Sequence, residues 1–175
     1  MSVVFTTTSE LYQVARRHLA SGPEQAGFFL ADYDPDLRAY VLREWRAVPV
    51  LGFEVHNDYH LTLKDEVGAE AIKWAWDAGA SLVEAHSHTA DGLACFSPSD
   101  LSGLDEWVPQ VRWRLRGRPY AALVTAGERF DALAWIDDSK TPDQVAQIAV
   151  DGMTYPASAE TLSRWTALRE WPRAR

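Results

Sequence analysis

The chain has 175 residues, 47% of them hydrophobic, with one cysteine, eight tryptophans and a formal net charge of −8. That length and apolar content suit one domain with a sizeable core, and the wealth of aromatics excludes a disordered chain. The acidic balance argues against a dedicated nucleic-acid binder, and a lone cysteine cannot form an internal disulfide, which fits the cytoplasm.

The start, MSVVFTTTSELYQ, has no basic segment and no long apolar core, so no signal peptide is expected. No apolar run approaches the ~20 residues that span a bilayer, so no membrane association is expected. Thr7 to Ala20 is predicted to be a helix: Thr7 and Glu10 have capping-box spacing, and Leu11, Val14, Ala15 and Leu19 share a face. Gly22 and Pro23 stop it. AGFFLADY then reads as a buried strand, and Arg38 to Val48 as a second strand in which apolar and charged residues alternate. From Pro49 to His60 the pattern is lost, apart from a short strand around Phe53.

Lys64 to Ala78 is the clearest helix, with Thr62 and Asp65 as candidate caps, Val67, Ala71, Trp74 and Ala78 on one face, and Gly79 at its end. SLVEAHSH is predicted to be a strand, and another helix begins near Pro98. YAALVTAGERFDALAWI reads as a hairpin turning at Gly127. The tail is predicted to hold a short helix after Thr141 and another from about Ser158 to Trp171. The scattered basic residues cluster only at Arg112, Arg114, Arg116 and Arg118, a possible contact surface. This order of elements gives a mixed α and β class, α+β, in a single domain spanning residues 1–175.

The stretch VEAHSHTADGLACFSPSD (residues 83–100) admits two readings. Ser97 and Asp100 have the spacing of a capping box, with Pro98 at the favoured first helical position, so the segment can simply be a strand end and a helix start. In a strand, however, residues two apart point the same way, so His86 and His88 present two imidazoles to one place. Asp100, in the first turn of the next helix, can add a carboxylate oxygen. Two histidines, one carboxylate and an open position are the ligand set of a catalytic zinc. Hydrolysis at such a site needs a general base, and Glu24, just before a buried strand, is the candidate.

Glu24-x-x-Gly27 opening an apolar strand, His86-x-His88 ending a later one and Ser97-x-x-Asp100 beyond it together resemble the JAMM motif of the JAB1/MPN zinc metalloproteases. The resemblance covers roughly Ser9 to Trp135. It implies an MPN/JAB-type domain with a β-sheet flanked by helices, cytidine-deaminase-like, with a motif-bearing core at about 9–136 and a helical C-terminal extension at about 140–175. It also implies one zinc per chain on His86, His88 and Asp100 with water as fourth ligand, Glu24 as general base and acid, and Ser97 as a donor to the water or the oxyanion.

By the same resemblance the substrate is a ubiquitin-like protein or its conjugates, cleaved after the C-terminal glycine in a bacterial, deubiquitinase-like antiphage system with E1-like and E2-like partners. Processing of a sulfur carrier or another small substrate, or a silent MPN scaffold, are the alternatives. Two features depart from the family: Thr89 stands where it has proline, and the loop from 89 to 96 is one residue longer. Cys95 reads as a small buried hydrophobe, and His56 and His60 as surface or supporting residues. Phe53, Tyr59 and the segment from Trp107 to Tyr120 are candidate substrate contacts, with core packing the alternative for Phe53. His18 carries no signal.

Overall fold

In the computed structural model, which describes residues 2–58, 60–89 and 91–170, the chain begins with a strand, β1 (Val3–Thr7), ahead of the first helix, α1 (Ser9–Leu19). Two long strands follow, β2 (Ala26–Asp34) and β3 (Ala39–Ala47). A 3₁₀ turn at Val50–Gly52 leads into a small hairpin of β4 (Phe53–His56) and β5 (Leu61–Leu63). Helix α2 (Asp65–Asp77), strand β6 (Ser81–His88) and helix α3 (Pro98–Arg114) come next. The chain then forms β7 (Tyr120–Ala126), β8 (Arg129–Trp135), β9 (Asp143–Val150), β10 (Met153–Pro156) and α4 (Thr161–Glu170). Trp171, the expected end of the last helix, lies outside the described residues.

The large sheet runs β1-β3-β2-β6-β7-β8-β9, and β9 pairs back onto β1. Seven strands therefore close a barrel, with β10 added antiparallel on β9. An open, helix-flanked sheet leaves two edge strands, whereas here β1 is bonded to β3 on one side and β9 on the other. The expected α+β architecture, an MPN/JAB-type and cytidine-deaminase-like sheet flanked by helices, is corrected accordingly. Residues 143–150, expected to start a helical tail, are the strand that makes the closure.

Alternation along the strands sorts side chains into two cores. Val3, Phe5, Phe29, Tyr40, Val83 and Leu123 belong to a cluster drawn from all seven barrel strands, to which α1 adds Ala15 and Leu19. The Tyr40 hydroxyl donates to the Tyr120 carbonyl at 3.2 Å within this interior. The other faces of β2, β6, β7 and β8 pack against α2, α3 and α4 through a second cluster, which includes Phe28, Leu82, Ile72, Leu104, Trp135 and Trp165. Strands buried on both faces read as the nearly unbroken apolar runs AGFFLA and YAALV.

Helix boundaries shift slightly from expectation. The cap of α1 is Thr8, whose hydroxyl accepts from Leu11 N at 3.3 Å, because Thr7 is the last residue of β1. Lys64 stands at the N-cap of α2 with no side-chain cap. Arg112 is buried, and its guanidinium donates to the Trp135, Ile136 and Asp137 carbonyls, so the arginines do not form one continuous contact surface. No helix among the described residues is long and apolar enough to cross a membrane.

Candidate metal centre

β6 alternates strictly, placing Val83 and Ala85 in the barrel core and Glu84, His86 and His88 on the opposite face, toward α3. It is held between β2 and β7, antiparallel to the first and parallel to the second. Ala26 pairs with His86, and the next rung is formed by Ser87 N donating to Gln25 O and Gln25 N donating to Ser87 Oγ, both at 2.9 Å. Glu24 precedes that rung, near enough to His88 and His86 for their charges to act on its carboxyl.

α3 starts where the sequence signals predicted. Ser97 is its N-cap, accepting from Asp100 N at 3.1 Å, while Asp100 Oδ2 accepts from Ser97 N at 2.7 Å. That same oxygen faces the histidines. His88 Nε2 is 3.2 Å from Asp100 Oδ2, His86 Nε2 is 3.5 Å from it, and the two Nε2 atoms are 3.2 Å apart. The capping box and the convergent carboxylate are thus one structure.

This triangle can be tested against a cation. A tetrahedron with bonds of about 2.0–2.1 Å has edges of about 3.3–3.4 Å, close to the three separations observed. Two imidazole nitrogens at 3.2 Å otherwise repel through their lone pairs unless a proton lies between them. The donor set of two nitrogens and one carboxylate oxygen, each partly exposed, suits zinc with room for a further ligand. Cys95 is buried and is not one of the three convergent donors.

The electrostatics favour a charged carboxylate at the centre. Burial pushes the Asp100 carboxyl up, but hydrogen bonds from His86 and His88, with that of Ser97, hold it well below the usual carboxylate range. Burial pushes His86 down, and its hydrogen bond and charge attraction to Asp100 more than reverse this. Protons and a divalent cation compete for these nitrogens. Burial raises the Glu24 carboxyl above its ordinary value, while the positive charges of His88 and His86 pull it back.

Supporting contacts reach the same place. The His56 ring nitrogen Nε2 lies 2.7 Å from the Glu24 carbonyl, and the ring stacks on Phe53 with centroids 4.1 Å apart. Phe53 itself is buried, so it is a core residue that steadies His56. Sequence patterns did not connect His56 with Glu24, because the two are 32 residues apart. His60 bonds Thr62, and His18 contacts the Ala26 carbonyl at 3.1 Å. Tyr59 lies outside the described residues.

A groove of about 470 Å³ leads to His86 and Asp100 between β5, α2 and α3. Phe28, Leu61, Leu63, Phe96 and Trp107 supply its apolar walls, and Glu84 lies within it two residues before His86. Trp107 Nε1 donates to the Tyr120 hydroxyl at 3.0 Å, so one of these aromatics faces the groove and the other is core. Sequence reading passed over Glu84; its only signal is the alternation that places it with the histidines.

No family model matches the chain, and no curated protein matches it. Its fold is similar to the solution structure of protein DSY2949 from Desulfitobacterium hafniense, with a TM-score of 0.53 and 14% identity, covering 83% of this chain and 92% of that one. At such an identity the likeness concerns the fold alone.

Proposed function

We propose that the chain is a zinc-dependent peptidase or isopeptidase that cleaves after the C-terminal glycine of a ubiquitin-like protein. The observation that carries this reading is the triangle of His86, His88 and Asp100 donors at tetrahedral-edge spacing, near Glu24 and open to a groove. The resemblance to the JAMM motif supports it at the same residues. The barrel lends it no support, so the reading rests on the site. Its setting is the cytoplasm, within a bacterial ubiquitin-like conjugation system of the antiphage kind, with E1-like and E2-like partners.

When bound, zinc supplies a hydrolytic nucleophile near neutral pH and a Lewis acid for the amide carbonyl. Glu24 takes the proton from the attacking water and delivers it to the leaving amine as the C–N bond breaks. Its pKa, raised by burial, suits that return step. Ser97 Oγ, already accepting from Asp100 N, keeps its own hydrogen to donate to the developing oxyanion. The groove holds the tail, where glycine allows the backbone to approach closely.

Ser97→Ala separates the two duties of that hydroxyl. Loss of the cap is expected to cost about 0.5–2 kcal/mol in a denaturant titration. Loss of the oxyanion donor is expected to lower kcat about 10²–10³-fold. An unchanged kcat with reduced stability would leave Ser97 as a cap alone.

The substrate is tested with a ubiquitin-like protein fused through its C-terminal glycine to a reporter. Cleavage immediately after the glycine is expected, abolished by a zinc chelator and restored by zinc. Alkylation of thiols is expected to change nothing, since Cys95 is buried and burial pushes its thiol up. Cleavage that survives full zinc removal would contradict the reading. Zinc-loaded protein that leaves several such fusions intact would favour a small substrate.

A further inference from the structure

β6 fixes both histidines in the sheet, but Asp100 reaches them only after the long loop from Thr89 to Phe96. The placement of that oxygen therefore depends on what anchors the loop. Some anchoring is peripheral, such as the exposed bond from Arg129 Nη2 to the Gly92 carbonyl at 2.9 Å. Two buried or half-buried ties come from the segment after β10 and from β8.

Asp131 on β8 has no exposed surface, yet it is a carboxylate, which is costly unless its oxygens are fully bonded. They are. Oδ1 accepts from Ala132 N at 2.9 Å and Gln144 Nε2 at 2.7 Å. Oδ2 accepts from Glu160 N at 3.0 Å, Thr161 N at 2.8 Å and Thr161 Oγ1 at 2.7 Å. The last three donors belong to the start of α4, so Asp131 fixes the position of Thr161, itself wholly buried.

The Thr161 hydroxyl gives its one hydrogen to Asp131 and has lone pairs left. It accepts from Phe96 N at 3.2 Å. Three residues earlier, Ser158 Oγ donates to the Ala94 carbonyl at 2.5 Å. The loop is thus tied at residues 94 and 96, immediately before the Ser97 cap. Phe96 is fully buried, with its ring edge-on to His86 at 5.5 Å between centroids.

We propose that Asp131, Thr161 and Ser158 are positioning residues for the metal centre: they hold the Phe96 main chain, and through Phe96 and Ser97 they set where Asp100 Oδ2 stands against His86 and His88. The proposal rests on the metal-binding reading of those three residues. A hydroxyl relay of this kind gives a role to a carboxylate side chain buried in the core 30 residues before Thr161. It makes the chain beyond β10 a working part of the site.

The test is a competitive metal titration against a chromophoric chelator, using the full chain at a temperature well below each variant's unfolding midpoint. Thr161→Val keeps the side-chain shape and removes the hydroxyl, whereas Thr161→Ser keeps the hydroxyl. Zinc affinity in Thr161→Val is expected to fall about tenfold or more, the size seen when groups that orient ligands are lost. Its cobalt-substituted absorption spectrum is expected to differ from wild type, and Thr161→Ser to restore both. A merely structural role would lower the melting temperature and leave affinity and spectrum unchanged, and that result would overturn the proposal.

Should Thr161→Val not fold, Ser158→Ala loosens the same loop through its bond to Ala94, with weaker zinc binding expected and wild-type binding contradictory. His88→Ala is the control for the underlying reading. Wild-type affinity in His88→Ala would sink the metal site itself, and the positioning role with it.

Discussion

Glu24→Gln is expected to bind zinc as the wild type does and to lose about 10²–10⁴-fold in turnover, the usual cost of a missing general base. The substitution keeps the shape of the side chain and removes its ability to hold the proton in transit. Glu24 is not one of the three convergent donors, which is why metal content should stay level. Its main chain is held by His56, and the rung from Gln25 to Ser87 anchors the residue after it, so the variant should fold normally. Metal analysis paired with single-turnover cleavage of the reporter fusion reads both halves. A wild-type rate would place the base elsewhere and make the match at EQAG accidental.

Much of the fold is legible where strands are long and doubly buried. β2, β6 and the β7–β8 hairpin follow from apolar runs, β3, half-exposed, from its alternation of apolar and charged residues, and α2 from its 3.6-residue period. The barrel is not legible, because its closure depends on two elements with misleading patterns. β1 is only five residues, and its last threonine also resembles a helix cap. β9 reads DQVAQIAV, with its apolar residues Val145 and Ile148 three apart, a helical interval. The structure shows the reason: Val3 pairs with Val145 but Val4 pairs with Gln147, so Ala146 is the extra residue of a bulge. The bulge shifts the phase of the strand and lets both Val145 and Ile148 point into the barrel.

The candidate centre was more legible than the fold around it. His86 and His88 share a face by strand periodicity, and Ser97 and Asp100 announce a helix start by capping chemistry, so local rules suffice to aim all three donors. What local rules cannot supply are the partners from distant segments. His56 against Glu24, Glu84 in the groove and the Asp131–Thr161 tie to Phe96 all depend on tertiary pairing across 30 to 65 residues or on walls built by β5, α2 and α3. Glu24 itself is marked by its motif, but its nearness to His88 and His86 follows only once β2 and β6 are paired.

The second large effect is on the metal itself. Replacing His86 and His88 together by alanine removes two of three donors and leaves Asp100 as a lone, partly exposed carboxylate, still engaged in its capping box. Such a carboxylate has no means of holding zinc against a competing chelator. The capping contacts of Ser97 and Asp100 do not use the imidazoles, so α3 should persist in the variant. Activity is expected to fall to background together with the metal.

The most direct measurement is the zinc content and affinity of purified wild type and His86→Ala/His88→Ala, taken side by side after dialysis and reloading. One tightly bound zinc per wild-type chain and none in the variant is the predicted result. Equal, stoichiometric zinc in both, or a wild type that takes up none, would contradict a metal centre at His86, His88 and Asp100.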